Sequence, residues 1–194
     1  MRPLIIATLA VLALGASAPS IADDGGRSSE YQRLIEQITN YAERNAWPAV
    51  ARTFRDLEAL DDDPLTPADL FLGAQAARAL GDAHTCQQRL LRAFEKNLSS
   101  SKEFDPRASQ WLGELQQFYG RVDIRHRGND ARLRAVDPPF QSDRKSAIDF
   151  AAEELAKSRR FDGLLPAGSY VLGEHTFEVE PTMDSQRFRL RVRE

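Results

Sequence analysis

The chain has one cysteine, few histidines and no long apolar run beyond its first residues. Cys86 is the only thiol among 194 residues, so no internal disulfide can form and stability must come from apolar packing. It falls where the helical pattern wants a small buried residue and reads as a structural thiol. His84, His126 and His175 are too scattered for metal-ligand spacing, and no carboxylate motif accompanies them. His126 shares strand parity with Val122 and Ile124, which marks it as a partly buried structural side chain. Asp61-Asp62-Asp63 lacks the alternating ligands and the glycine of a calcium loop and reads as a solvated helix end. No P-loop, dinucleotide fingerprint or G-x-S-x-G elbow occurs. Trp47, Trp111 and Tyr119 lie in or beside helical apolar stripes, which favours a core role over stacking on sugars. These absences exclude the familiar catalytic classes, and the expectation is a protein with no catalytic residue, metal or cofactor.

One apolar segment is present at the start. Arg2 precedes an apolar run from Leu4 to Leu14, then small residues through Ala22, then Asp23-Asp24. That layout predicts a cleaved secretory signal over residues 1–22, with a product that is exported, periplasmic or secreted, and not membrane-spanning. The run falls short of the roughly twenty apolar residues that a membrane span needs. Removing the segment takes Arg2 and no acid, which moves the formal charge from −3 to −4 and leaves 172 residues.

Residues 23–119 read as helical. Ser28-Ser29-Glu30 starts a first helix with Tyr31, Leu34, Ile35, Ile38, Tyr41 and Ala42 on one face. Asn45 breaks it, and Pro48 suits the first turn of a second helix with Val50, Phe54 and Leu57 inward. Thr66-Pro67-Ala68-Asp69 reads as an N-cap, a proline and a first-turn acid. Leu70, Ala74 and Ala77 follow, then a break at Gly81 and a stripe of Cys86, Leu90 and Ala93. Asp105-Pro106 repeats the capping device before a fifth helix, which Gly120 should stop.

Beyond Gly120 the period becomes alternating. Val122 and Ile124, a turn at Gly128-Asn129-Asp130, and Leu133 predict a hairpin. An inserted helix is expected over 142–160, then strands at Ser169–Leu172, Thr176–Val179 and Arg187–Arg193. No Gly/Ser-rich linker separates the halves, which predicts a rigid junction sharing core through Trp111 and Phe118.

The paired helices resemble tetratricopeptide repeats over residues 28–98. Asn45 and Gly81 occupy the same turn, 36 residues apart, against a family unit of about 34. Gln37 and Gly73 depart from the family's leucine, and Ala77 replaces its aromatic. The resemblance implies a short concave groove lined by Gln32, Ile35, Thr39, Glu43, Phe71, Gln75, Arg78 and Ala79. Such a groove holds a protein or peptide partner. Residues 120–194 look like the small β-sandwich modules of the PEGA type, through Leu165-Pro166-Ala167-Gly168-Ser169-Tyr170 and Phe177-Glu178-Val179. Those modules are mainly structural or adhesive.

The charge pattern adds a second candidate surface. Arg187, Arg189, Arg191 and Arg193 alternate with Phe188, Leu190 and Val192, so a strand would put all four guanidinium groups on one face. Arg121, Arg125 and Arg127, with Arg132 and Arg134, have the parity to extend it. Residues 120–194 carry 14 basic and 13 acidic side chains, whereas residues 23–119 carry 11 and 16. Arginine pairs bidentately with carboxylate or phosphate; a solvated sheet face guarded against aggregation is the plainer reading.

The sequence thus predicts an α+β protein: tetratricopeptide-like hairpins with a capping helix, then a small antiparallel β-sandwich-like module with an inserted helix. The leading expectation is an exported scaffold or adaptor of the cell envelope, contacting a partner through Gln32, Thr39, Glu43, Phe71, Gln75 and Arg78. The alternative is a module whose arginine face holds an anionic glycan, peptidoglycan acid or lipid phosphate. No nucleic-acid partner is expected.

Overall fold

A computed structural model describes residues 24–60, 65–98, 105–127 and 132–191. The expected signal segment lies outside the described residues. Five helices come first: α1 (Asp24–Glu43), α2 (Trp47–Glu58), α3 (Pro67–Ala79), α4 (Ala83–Leu98) and α5 (Pro106–Phe118). Then follow β1 (Tyr119–Arg127), β2 (Leu133–Ala135), α6 (Ser142–Ser158), β3 (Arg160–Pro166), β4 (Gly168–Leu172), β5 (His175–Val179) and β6 (Gln186–Arg191). The chain is therefore α+β, as its periodicities imply. Among the described residues no helix is long and apolar enough to cross a membrane.

The two helical hairpins, α1–α2 and α3–α4, turn by the same device. Asn45 and Gly81 both adopt positive φ, 54° and 83°. Ala46 N–H donates to the Tyr41 carbonyl and Asn45 N–H to Ala42, a pattern repeated by Asp82 to Ala77 and Gly81 to Arg78. These paired bonds satisfy carbonyls that a helix end leaves orphaned. Thr66 caps α3 in a reciprocal box with Asp69, and Asp105 caps α5 through the Arg107 N–H. α1 begins at Asp24, ahead of the expected Ser28.

Between the hairpins Leu34, Ile38, Val50, Phe54, Leu57 and Leu70 form one core. Gly73 belongs to this packing. A Cβ there would meet the Phe54 ring at 2.5 Å, so the ring lies directly on the α3 backbone. Arg89 covers the same ring at 4.3 Å from its centroid, donates to the Gly73 carbonyl at 2.9 Å, and pairs with Glu58 at 2.7 Å.

The strands form two three-stranded sheets, β3-β1-β6 and β2-β4-β5. The hairpin expected between residues 122 and 133 does not occur, because β1 and β2 belong to different sheets. Both edges of β1 are taken: β3 pairs antiparallel with it and β6 parallel. The first sheet is thus mixed rather than purely antiparallel. β3 was not expected as a strand at all, and α6 ends before it at Arg159, in the left-handed conformation with φ 58°.

Val122, Ile124, Leu155, Phe161, Leu165, Tyr170, Leu172 and Phe177 fill the space between the sheets and α6. A further core joins the two halves through Phe71, Ala74, Cys86, Ala108, Leu115, Tyr119, Ala147 and Leu164. Gly81 seals that junction, since a Cβ there would strike the Ser146 carbonyl of α6. Gly120 lies within β1 rather than stopping α5. Its missing side chain admits the Glu180 carbonyl.

Candidate functional site

The expected groove positions separate into three groups. Gln32, Thr39 and Glu43 are exposed on α1, while Ile35 is half-buried and packs on the hairpin core. Phe71 does not face an open groove. It is 6 % exposed and packs on Trp111 with ring centroids 5.3 Å apart, because α5 covers that side of α3. Gln75, Arg78 and Ala79 line a cleft of about 320 Å³, together with Trp47, Arg107, Trp111, Ser142, Asp143 and Ser146. The structure therefore closes the groove with α5 and α6 and leaves a short cleft at the junction of the two halves.

Arg78 organises this cleft. Its guanidinium donates to Glu114 at 2.8 Å and to Asp143 at 2.7 Å, and lies 4.6 Å from the Trp111 ring centroid. One side chain thereby ties α3 to α5 and α6. Burial works against ionisation of Glu114, but hydrogen bonds from Arg78 and Gln110 and the charges of Arg78 and Arg144 outweigh it. They hold the carboxyl below its ordinary value. Trp47 and Trp111 are half-buried and show indole surface to the cleft. Both rings also pack on the helical cores, as their stripes imply, and the edge each leaves at the cleft is what spacing alone does not show.

Behind the cleft, Arg78, Cys86, Glu114, Phe118, Tyr119, Asp143 and Arg144 border a smaller cavity of about 260 Å³. Burial pushes the Cys86 thiol up to about 12, which disfavours the thiolate a nucleophile would need. Burial also raises Tyr119 above its ordinary value. His84 is lowered first by burial and then by the Arg121 charge. Among the described residues no group of three His, Cys, Asp or Glu is placed to hold a metal ion.

The arginine strand is built as its alternation implies. Arg187 and Arg189 are exposed, while Phe188 and Leu190 pack on the core between the sheets. The Arg191 side chain and residue 193 lie outside what is described. Register places Asp123 beside Arg187 and Asp162, and Arg125 beside Arg189 and Arg160. Arg132 and Arg134 do not join this face, because they flank or lie on β2 in the other sheet. Two carboxylates serve three arginines: Arg121 pairs with Asp162 at 3.0 Å, Arg125 with Asp123 at 3.2 Å, and Arg160 with both. The Arg125 hydrogen bond is the main reason the Asp123 carboxyl sits below its ordinary value. Among the described residues Arg127, Arg187 and Arg189 have no carboxylate within ion-pair distance.

Comparison with family models, with curated proteins and with solved structures finds no match to this chain.

Proposed function

We propose that this protein is a non-enzymatic, exported scaffold or adaptor of the cell envelope that holds a short segment of a partner protein in the cleft between Trp47 and Trp111. The observation that carries the reading is the composition of that cleft. Two half-buried indoles flank it, and the Gln75 amide and the Ser142 and Ser146 hydroxyls make no hydrogen bond among the described residues. Tryptophan and arginine dominate the energetics of protein interfaces, and unengaged amides and hydroxyls match a peptide backbone. The paired hairpins, with their resemblance to tetratricopeptide units, point the same way. A groove shortened by α5 and α6 suits a short segment.

The test is site-specific crosslinking in intact cells from Gln75 and Ser146, with Ala79→Glu as the blocking variant. Ala79 is exposed on the cleft wall, so the added carboxylate fills the cleft without disturbing core. A partner peptide should be captured at both positions and lost in the variant. Capture of no protein, or capture unaffected by Ala79→Glu, overturns the reading. Amino-terminal sequencing of the protein recovered from the same cells should begin at Asp23; retention of residues 1–22 would remove export from the proposal.

A further inference from the structure

At the end of the β3-β1-β6 sheet remote from the cleft lies a second concavity. Arg125, Arg127, Arg159, Arg160 and Arg189 line it, with His126, Ser158 and Leu190, and its volume is about 590 Å³. It forms where β1 and β6 run out in the same direction and α6 turns into β3, so three separate stretches of chain deliver guanidinium groups or their neighbours to one place. Among the described residues no carboxylate lines it. Arg125 and Arg160 are drawn toward Asp123 on the adjoining sheet face, which leaves Arg127 and Arg189 with no anionic partner among the described residues. Like charges gathered without counter-charge repel, and an oxyanion relieves that repulsion while taking bidentate hydrogen bonds.

His126 closes the inner side of the groove. It is 6 % exposed, its Nε2 faces the Leu155 carbonyl at 3.3 Å, and its Nδ1 is buried with no hydrogen-bond partner. A carbonyl oxygen only accepts, so Nε2 carries the hydrogen, and in the neutral ring Nδ1 is an acceptor in want of a donor. The ring borders the groove from its buried side, which leaves the open lining to the guanidinium groups, and these call for a ligand that brings oxyanions.

We propose that this groove binds an anionic glycan, with its carboxylate or phosphate groups held by Arg127, Arg159 and Arg189. The exposed row of Arg187 and Arg189 extends the groove along the sheet face and gives a chain-like ligand further contacts. A bilayer surface fits less well. The exposed large apolar side chains, Leu91, Leu98, Val136, Phe140 and Met183, do not line the groove, whereas interfacial binding buries apolar groups. Single-stranded nucleic acid also fits less well, since among the described residues no Phe, Tyr or Trp lines the groove as a platform for bases. The site is separate from the Trp47–Trp111 cleft and stands or falls independently of it.

The experiment measures binding of the signal-free chain, residues 23–194, to polygalacturonate by titration calorimetry. Parallel arms use a phosphodiester-linked glycan, inorganic polyphosphate, vesicles of anionic phospholipid and single-stranded DNA. One or both glycans should bind, with affinity falling about tenfold or more as salt rises from about 50 to about 200 mM. Which glycan binds more tightly distinguishes carboxylate from phosphate as the natural group. Arg127→Glu combined with Arg189→Glu should lower affinity at least about tenfold, because both side chains are exposed and fully committed to the site. Arg132→Glu combined with Arg134→Glu makes the same charge change away from the face and should leave binding within about twofold. Circular dichroism of both variants confirms that they fold. Equal loss in the two double variants, salt-insensitive binding, polyphosphate binding as tight as either glycan, or binding confined to vesicles or DNA each overturns the proposal.

Discussion

Gly73 stands where the repeat pattern wants a leucine, and its surroundings explain the departure. The Phe54 ring occupies the space of a side chain at this position, and Arg89 holds the ring there from its own position on α4. Restoring the pattern with Gly73→Leu should therefore destabilise the protein, by about 2 kcal/mol or more, as overpacking does. Urea unfolding would read this directly, and a stabilised variant would show that the Phe54 ring relocates at little cost. Arg78 offers a second test at this scale. Arg78→Met leaves Glu114 and Asp143 close together beside Trp111 with their shared cation gone, a loss of about 1–2 kcal/mol at neutral pH. Because Glu114 is held below its ordinary value, its contribution is present above the unfolded value and lost as pH falls through the lowered native one. The gap between wild type and variant should accordingly narrow between pH 7 and about pH 3, measured as urea midpoints. A gap that stays constant would detach Arg78 from that acid-side titration.

Several element boundaries were legible from residues that announce them chemically, although Gly120 lies inside β1 and α1 starts ahead of Ser28. Thr66 and Asp105 as caps, the prolines after them, and Asn45 and Gly81 as turn residues all perform the roles their chemistry suggests. Two features were not legible for physical reasons. β3 follows α6 at Arg159, which takes the left-handed conformation usually left to glycine or asparagine, so nothing in the sequence marks the break. The pairing of β1 with β6 joins strands about sixty residues apart, and alternation reports a strand's faces without naming its neighbour. The candidate sites divide along the same line. The exposed arginines could be read from parity, while Arg159 and Arg160 reached the groove only through the α6–β3 turn. Arg159→Gly should relieve the left-handed strain and raise stability by about 0.5–1 kcal/mol, the steric gain exceeding the entropy glycine adds to the unfolded chain. Thermal unfolding checks this. A loss of stability would mean that the Arg159 side chain contributes more than its backbone costs.

At the scale of the whole molecule, composition divides the chain into an acidic helical half and an arginine-rich sheet half, yet the packing does not respect that division. α5 passes into β1 with no intervening linker, and one core draws Phe71 and Ala74 from α3, Cys86 from α4, Leu115 from α5, Ala147 from α6 and Leu164 from β3. Arg78 crosses the same junction with its two carboxylates, and Gly81 lets the α3–α4 turn rest on the α6 backbone. Neither half could separate without exposing this shared apolar surface and parting Arg78 from the Asp143 carboxylate. The two halves should consequently unfold together. Calorimetry of the signal-free chain is expected to show one transition whose van't Hoff and calorimetric enthalpies agree, and Leu164→Ala in the sheet half should lower the melting of helix and strand signals by the same amount. A variant that melts the β-module first, leaving the hairpins folded, would show the junction to be a contact between independent units. In that case the Trp47–Trp111 cleft, which both halves build, would lose the fixed geometry that partner binding there requires.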